Sequence, residues 1–188
     1  MPTTEADFPD LRTPGLKLSL IGFDDIPDFL PLLADWDVVR YTSRIPYPYS
    51  RADGEAYTAF VADAWQRKGS LECALRDRKD GTFVGIAALT IGDDPTEAEI
   101  GYWIGVPFWG RGFATQASEV LIRHGFTAMG LDRIVSTVVR ENTASSHVLE
   151  KVGLSRTGEA EIYFPARDRH YPVYLFELTR EKWMKDNG

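Results

Sequence analysis

The sequence predicts an α+β fold around one mixed sheet, on three observations. Strand signals come in a block over residues 70–106. A strong turn, Asp80-Gly81, joins the first two of those strands. Beyond residue 112, helix and strand patterns alternate. Alternation throughout would indicate a doubly wound parallel sheet, whereas a block followed by alternation indicates a mixed one.

Residues 16–22, LKLSLIG, alternate apolar and polar side chains and read as the first strand. Asp24 or Asp25 caps a helix with Pro27 in its first turn. IPYPYSRADGE is a proline-aromatic loop, and Ser50 caps the next helix, over residues 52–67. SLECALRD and TFVGIAALTIG form the arms of a hairpin, and TEAEIGYWIGV is a third strand rich in β-branched and aromatic residues. In the helix over residues 113–129, Ala114, Ala117, Leu121 and Ala128 recur at helical spacing. LDRIVSTVVR is a strand. NTASSHVLEKVG is a short helix with Asn142 at its N-cap and Gly153 just past its end. Strands over 155–164 and 171–178 bring the number to about seven, and 179–185 closes as a helical turn. Residues 1–13 are expected to be loose.

The 188 residues suit one domain, 1–188. With 44% hydrophobic and 26% charged residues, the composition is that of an ordinary globular protein. One cysteine, Cys73, excludes an internal disulfide framework and fits a reducing, cytoplasmic setting. No apolar run reaches the roughly 18 residues of a membrane span. A net charge of -7 argues against nucleic acid as a partner and is compatible with a cationic amine. His124, His147 and His170 show no metal-binding spacing, so no metal is expected.

In VPFWGRGFATQA, Gly110 and Gly112 stand between a strand and a helix. Glycine lets backbone turn sharply and approach a ligand. The first amides of a helix lack intrahelical partners and carry partial positive charge, which suits a diphosphate. A tight turn without a ligand would use the same glycines. The Walker Gly-Lys-Ser/Thr sequence is absent, and position 115 is threonine rather than the third glycine of a dinucleotide fingerprint.

The stretch over residues 97–154 resembles the GNAT acetyltransferases, most closely the branch of ribosomal-protein N-terminal acetyltransferases (RimJ/RimL-like). AEIGYWIGVPFWGRGFATQA and LDRIVSTVVRENTASSHVLEKVGL carry the likeness. Family members have a Gln/Arg-x-x-Gly-x-Gly/Ala loop; here Trp109-Gly110-Arg111-Gly112-Phe113-Ala114 holds its place, with Trp109 departing from the usual first residue. Asn142-x-x-Ser145-x-x-x-Leu149-x-Lys151-x-Gly153-Leu154 is the more specific part.

The resemblance implies a mostly antiparallel sheet splayed open in a V and flanked by helices. It places acetyl-CoA in the gap between the strands ending at Val106 and Arg140. Pantetheine would run along Trp103, Ile104, Gly105 and Val106. The diphosphate would sit on the amides of Arg111, Gly112, Phe113, Ala114 and Thr115. Asn142 would hold the pantetheine arm as well as cap its helix. Ser145 would offer a hydrogen bond to the leaving thiolate, or serve only in the cap. Tyr163, Tyr171 and Tyr174 are alternative acids without an aligned position. Glu99 matches a position where relatives carry a base; a solvated strand face is the alternative. Glu97, two residues earlier, shares its face. Trp36, Tyr41 and Tyr47, with Arg44 and Tyr49, would wall the acceptor side, beside Glu97, or serve only in packing; His170, in the ARDRHY loop, is a further candidate for that pocket, with a structural role as the alternative.

The implied activity is acetyl transfer to a primary amine by direct attack in a ternary complex. The expected acceptor is a protein N-terminal α-amine. A small-molecule amine, or a non-catalytic CoA-binding regulatory module, are the alternatives. A homodimer is compatible with this branch, and no residue here demands it.

Overall fold

The computed structural model of the chain describes residues 8–67 and 70–187. Seven strands form one sheet: β1 (Leu16–Leu20), β2 (Ser70–Asp77), β3 (Phe83–Ile91), β4 (Glu97–Ile104), β5 (Arg133–Val139), β6 (Ser155–Phe164) and β7 (Arg169–Thr179). Their order across the sheet is β1-β2-β3-β4-β5-β7-β6. The first four strands pair antiparallel in sequence order. Among the described residues β4 and β5 are the one parallel pair, which requires a crossover, and helix α4 (Phe113–His124) provides it.

That parallel pair is short. It joins Glu97 to Arg133, Ala98 to Ile134 and Glu99 to Val135, and then ends. β4 continues to Ile104, still paired with β3, and β5 continues to Val139, still paired with β7. The two halves of the sheet therefore part beyond Glu99 and leave a V-shaped gap, as the resemblance implied. Ser136 donates its hydroxyl to the Ile100 carbonyl at 2.9 Å just past the fork.

Alternation along the strands assigns the two faces. Ala98, Ile100 and Ile104 of β4 point towards α4 and join a core with Ala117, Leu121, Ile134 and Phe176. Trp103 points the other way, into a second core with Phe29 and Phe83. That face is covered by α1 (Ile26–Leu33), α2 (Trp36–Val39) and α3 (Arg51–Gln66). Complete burial of a side chain such as Phe29 or Leu121 contributes about 1.5–3 kcal/mol. α5 (Thr143–Lys151) and α6 (Arg180–Asn187) complete the helices. None of the described helices is long and apolar enough to cross a membrane.

Several expectations need adjustment. The Asp80-Gly81 turn occupies a longer loop, residues 78–82, closed by the Asp77 amide on the Thr82 carbonyl at 2.9 Å. A bulge at Leu75/Arg76 and carboxylate bonds from Asp77 and Asp80 to nearby amides support it. The helix expected to reach residue 129 changes at Gly125 into one wider turn, Gly125–Met129. A Cβ at Gly125 would come within 3.0–3.2 Å of Leu131, Leu89 and Ile134, so the chain there lies close on the core. α2 was not foreseen, because four residues are too few to show a helical period. Part of the stretch expected to be loose is packed: Leu11 is buried, and the Phe8 ring sits 5.4 Å from Trp65. The remainder of that stretch, residues 1–7, lies outside the described residues.

Candidate active site

The site is built where β4 loses β5. Gly105 donates its amide to Val84 on β3 at 2.9 Å. Antiparallel pairing alternates, so Trp103 and Gly105 commit their main-chain groups to β3. Tyr102 and Ile104 turn theirs to the gap. Of the expected pantetheine partners Trp103, Ile104, Gly105 and Val106, only Ile104 therefore presents strand backbone to the opening, joined by the unforeseen Tyr102. The Ile104 carbonyl already accepts the Trp109 indole at 2.7 Å, which leaves its amide available. Val106 opens a short 3-10 turn, Val106–Phe108.

Gly110 and Gly112 have φ of 74° and 75°, a left-handed backbone that disfavours any side chain. Gly112 is the N-cap of α4, and the first intrahelical bond runs from the Gln116 amide to its carbonyl at 3.0 Å. The amides of Phe113, Ala114 and Thr115 consequently have no partner within the helix. Gln116 anchors this turn by accepting from Thr13 at 2.7 Å and from the Gly15 amide at 2.9 Å. The Arg111 guanidinium is ion-paired with Asp77 and lies 4.4 Å from the Phe113 ring centre. Arg111 thus contributes an amide, while its side chain is held elsewhere.

Across the gap, α5 starts just after β5. Asn142 caps it, its side-chain oxygen accepting the Ser145 amide at 3.2 Å. The Ser145 hydroxyl lies 3.0 Å from the Tyr102 hydroxyl. Burial pushes the Tyr102 phenol up to about 12, against a smaller opposing pull from Ser145. Tyr163, Tyr171 and Tyr174 have other partners: Tyr163 donates to Asp168, Tyr171 packs on Phe164, and Tyr174 lies beneath Arg140 and Arg156.

Glu99 belongs to the last β4–β5 pair, so it stands at the fork, on the face towards α1–α3. Its side chain is exposed, with protein near enough to thin its hydration. Loss of hydration raises its pKa above the ordinary carboxylate range; Arg44 pulls it down and Glu97 pushes it up. Glu97 shares the face as expected, but Arg133 of the paired strand captures it, and Arg133 also bonds Glu177. Glu72, on β2, faces the same side and was missed. It is buried, accepts the Tyr57 hydroxyl of α3, and has its pKa raised by burial, with Tyr57, Ser70 and Arg44 opposing. A glutamate in an otherwise buried strand was the signal available.

Trp36 and Tyr47 meet edge to face at 5.1 Å and are both half-exposed. Tyr41 packs against Val139, Phe164, Tyr171 and Val173. The tip between β6 and β7 docks here: the Ala166 amide bonds the Ser43 carbonyl at 3.1 Å, and Arg167 reaches Val39 and Thr42. His170 is not brought to this wall. It alternates with Tyr171, so it points to the opposite face, where its ring lies tilted against Tyr163 at 5.3 Å.

A sheet split beside a positive-φ glycine loop is the arrangement that the resemblance to the GNAT acetyltransferases implied. Residues 16–155 match the acetyltransferase (GNAT) domain family. The chain is 38% identical over 174 residues to an uncharacterized N-acetyltransferase, p20, of Bacillus licheniformis, covering 92% of this chain and 97% of that one. It is 27% identical over 137 residues to the putative ribosomal N-acetyltransferase YdaF of Bacillus subtilis, covering 70% and 74%. Among solved structures, spermidine N-acetyltransferase from Vibrio cholerae, in complex with CoA and spermine, has the same fold, with a TM-score of 0.78 at 20% identity over 92% and 99% of the two chains. The chain belongs to the GNAT family and is an N-acetyltransferase. Its likeness to a ribosomal acetyltransferase is consistent with the RimJ/RimL-like branch.

Proposed function

We propose that the chain transfers acetyl from acetyl-CoA directly to a primary amine in a ternary complex, and that the acceptor is a protein N-terminal α-amine. One observation carries this reading. The fork in the sheet has Glu99 on one face and Ser145 on the other, with free helix amides beyond it. A thioester threaded through the gap would meet a base on the acceptor side and a hydrogen-bond donor on the sulfur side. Glu99 would take the amine proton, directly or through water. The amide of Ile104 or Tyr102 would face the oxyanion. Asn142 and the residues 111–115 would hold the carrier. Cys73 is fully buried and burial raises its pKa, which argues for direct attack over an acetyl-cysteine.

An α-amine has a pKa of about 7.7–8.0, so roughly a tenth is neutral at pH 7, whereas an amine near 10.4 is neutral for only about 0.04%. One modest carboxylate suits the former. The second reading, a small polycationic amine, is favoured by Glu72 and Glu99 lying on one face. Thiol release from acetyl-CoA with free-amine peptides and polyamines distinguishes them. Peptides should exceed polyamines at least tenfold in kcat/KM; the reverse order overturns the acceptor assignment. Acetyl-CoA at 100 times its Kd should stabilise the fold by about 2.7 kcal/mol, roughly 5–11 °C in Tm. That shift without thiol release from any amine would leave a non-catalytic CoA-binding module.

A further inference from the structure

The face of the sheet that carries Glu99 is not covered evenly. Facing strands put Ala74, Ile86 and Trp103 in one row, and that row is buried beneath α1–α3. The next row is Glu72, Ala88 and Gly101, and the one after it Ser70, Thr90 and Glu99. β3 is an interior strand, yet Ala88 and Thr90 are only half-buried and Gly101 is exposed. The helical layer therefore stops short of these rows and leaves a trough across β3 and β4. Gly101 keeps its floor bare: a Cβ there would meet nothing within 4 Å, so packing does not call for glycine. One end of the trough is Glu99 at the fork. Strand spacing and rise put the Cα of Glu72, towards the other end, roughly 12 Å away.

That far end is rich in acceptors and short of donors. Glu72 is 8% exposed and takes the Tyr57 hydroxyl of α3. Burial raises its pKa against weaker pulls from Tyr57, Ser70 and Arg44, so these neighbours do not compensate the charge in full. The buried Ser70 hydroxyl, close enough to act on Glu72, is bonded to nothing among the described residues. A carboxylate and a hydroxyl oxygen are satisfied together by a group that carries only donors, an ammonium or a guanidinium. We propose that Glu72 is a specificity-determining residue, binding a basic side chain carried within the first three residues of an acceptor peptide whose α-amine lies at Glu99. The proposal rests on the reading of the acceptor as a protein N-terminus. Such a peptide gives both carboxylates a partner: its weakly basic α-amine meets Glu99, and its second cation meets Glu72. A buried carboxylate without a cation costs stability, and such a cost is retained where function uses the group.

The test uses peptides of one composition and net charge, with a small N-terminal residue and a single lysine at position two, three or eight. With native protein the better of the two proximal peptides should exceed the distal one roughly tenfold in kcat/KM, through KM. In E72Q the three should fall within about twofold of one another, with the variant still melting cooperatively. Gly101→Val, for which the open floor has room, should raise the KM of every peptide roughly fivefold and leave that of acetyl-CoA within about twofold of native. Equal rates with all three peptides, or a proximal preference that survives in E72Q, overturns the role of Glu72 and leaves the peptide reading standing. A peptide KM unmoved by Gly101→Val overturns the path across the trough. Turnover of polyamines with none of the peptides overturns the peptide reading, and this proposal with it.

Discussion

The two walls of the gap are made of different material. The proposed donor wall is main chain: the free edge of β4 at Tyr102 and Ile104, and the first amides of α4 behind two positive-φ glycines. The proposed acceptor wall is side chain: Glu99 and Glu72 on the sheet, Tyr57 from α3, Trp36 and Tyr47 from α2 and the loop after it. Main-chain recognition suits an invariant ligand such as a diphosphate carrier, since it survives most substitutions. Side-chain recognition can be retuned one residue at a time. The contrast fits relatives whose printed names differ in acceptor, ribosomal in one and spermidine in another.

The largest effects should fall at single groups on this frame. Glu99→Gln should lower kcat by roughly 100-fold or more, with the acetyl-CoA KM within about twofold of native. A base must be ionised, so native activity should be present above the Glu99 pKa and be lost as pH falls through it. Because that pKa is raised, the acid limb should lie above the ordinary carboxylate range, and the variant should lack it. A profile unchanged in E99Q would break the assignment of the acceptor face. Gly112→Val comes next. At φ 75° a β-branched residue is strained by about 1–2 kcal/mol and its methyls would crowd the amides. The KM for acetyl-CoA should rise roughly tenfold while the acceptor KM stays put. A rise confined to the acceptor would place the carrier elsewhere.

The same contrast explains what the sequence made legible. Glycines with positive φ and the Asn142 cap are local features, readable from a few neighbouring residues. Strand alternation correctly put Glu97 beside Glu99, but the loss of Glu97 to Arg133 depends on which strand pairs next, 36 positions away. Tyr102 was within reach of the same alternation rule, carried three residues past Glu99. Its partner Ser145 was not, being 43 positions distant. Glu72 meets Tyr57 only because α3 lies across β2. His170 was assigned by loop position, and only the register of β6 and β7 shows which face it takes.

A smaller effect tests the acceptor wall without catalysis. Glu72 holds its proton to higher pH in the folded chain than in the unfolded one, because burial penalises its charge. The folded state therefore binds more protons just above the ordinary carboxylate range. Stability tied to this group is full below that range and declines as pH rises through the folded value. Glu72→Gln keeps an acceptor for Tyr57 and removes the penalty. Its Tm relative to native should be higher at pH 7 than at pH 4, by a few degrees, on a scale of about 2–4 °C per kcal/mol. A variant less stable at pH 7 than at pH 4, again relative to native, would mean that Glu72 is stabilised as the anion, and that Tyr57, Ser70 and Arg44 together outweigh burial.

The smallest effect is the sharpest test of the main-chain wall. Arg111 is the cation nearest the glycines in sequence, and a phosphate site built on side chains would depend on it. Its guanidinium instead meets Asp77 and the Phe113 ring, and its side chain is partly exposed. Asp77 is buried but also accepts the Lys79 amide at 3.0 Å, so releasing it should lower stability rather than acetyl-CoA affinity. Arg111→Ala leaves every backbone amide from residue 111 to 115 in place. The acetyl-CoA KM should change by less than about threefold, and salt should affect native and variant alike. A loss of tenfold or more, diminishing at high salt, would mean that the arginine leaves Asp77 to bind phosphate. The donor wall would then share the side-chain character of the acceptor wall, and the distinction between the two would fail at its strongest point.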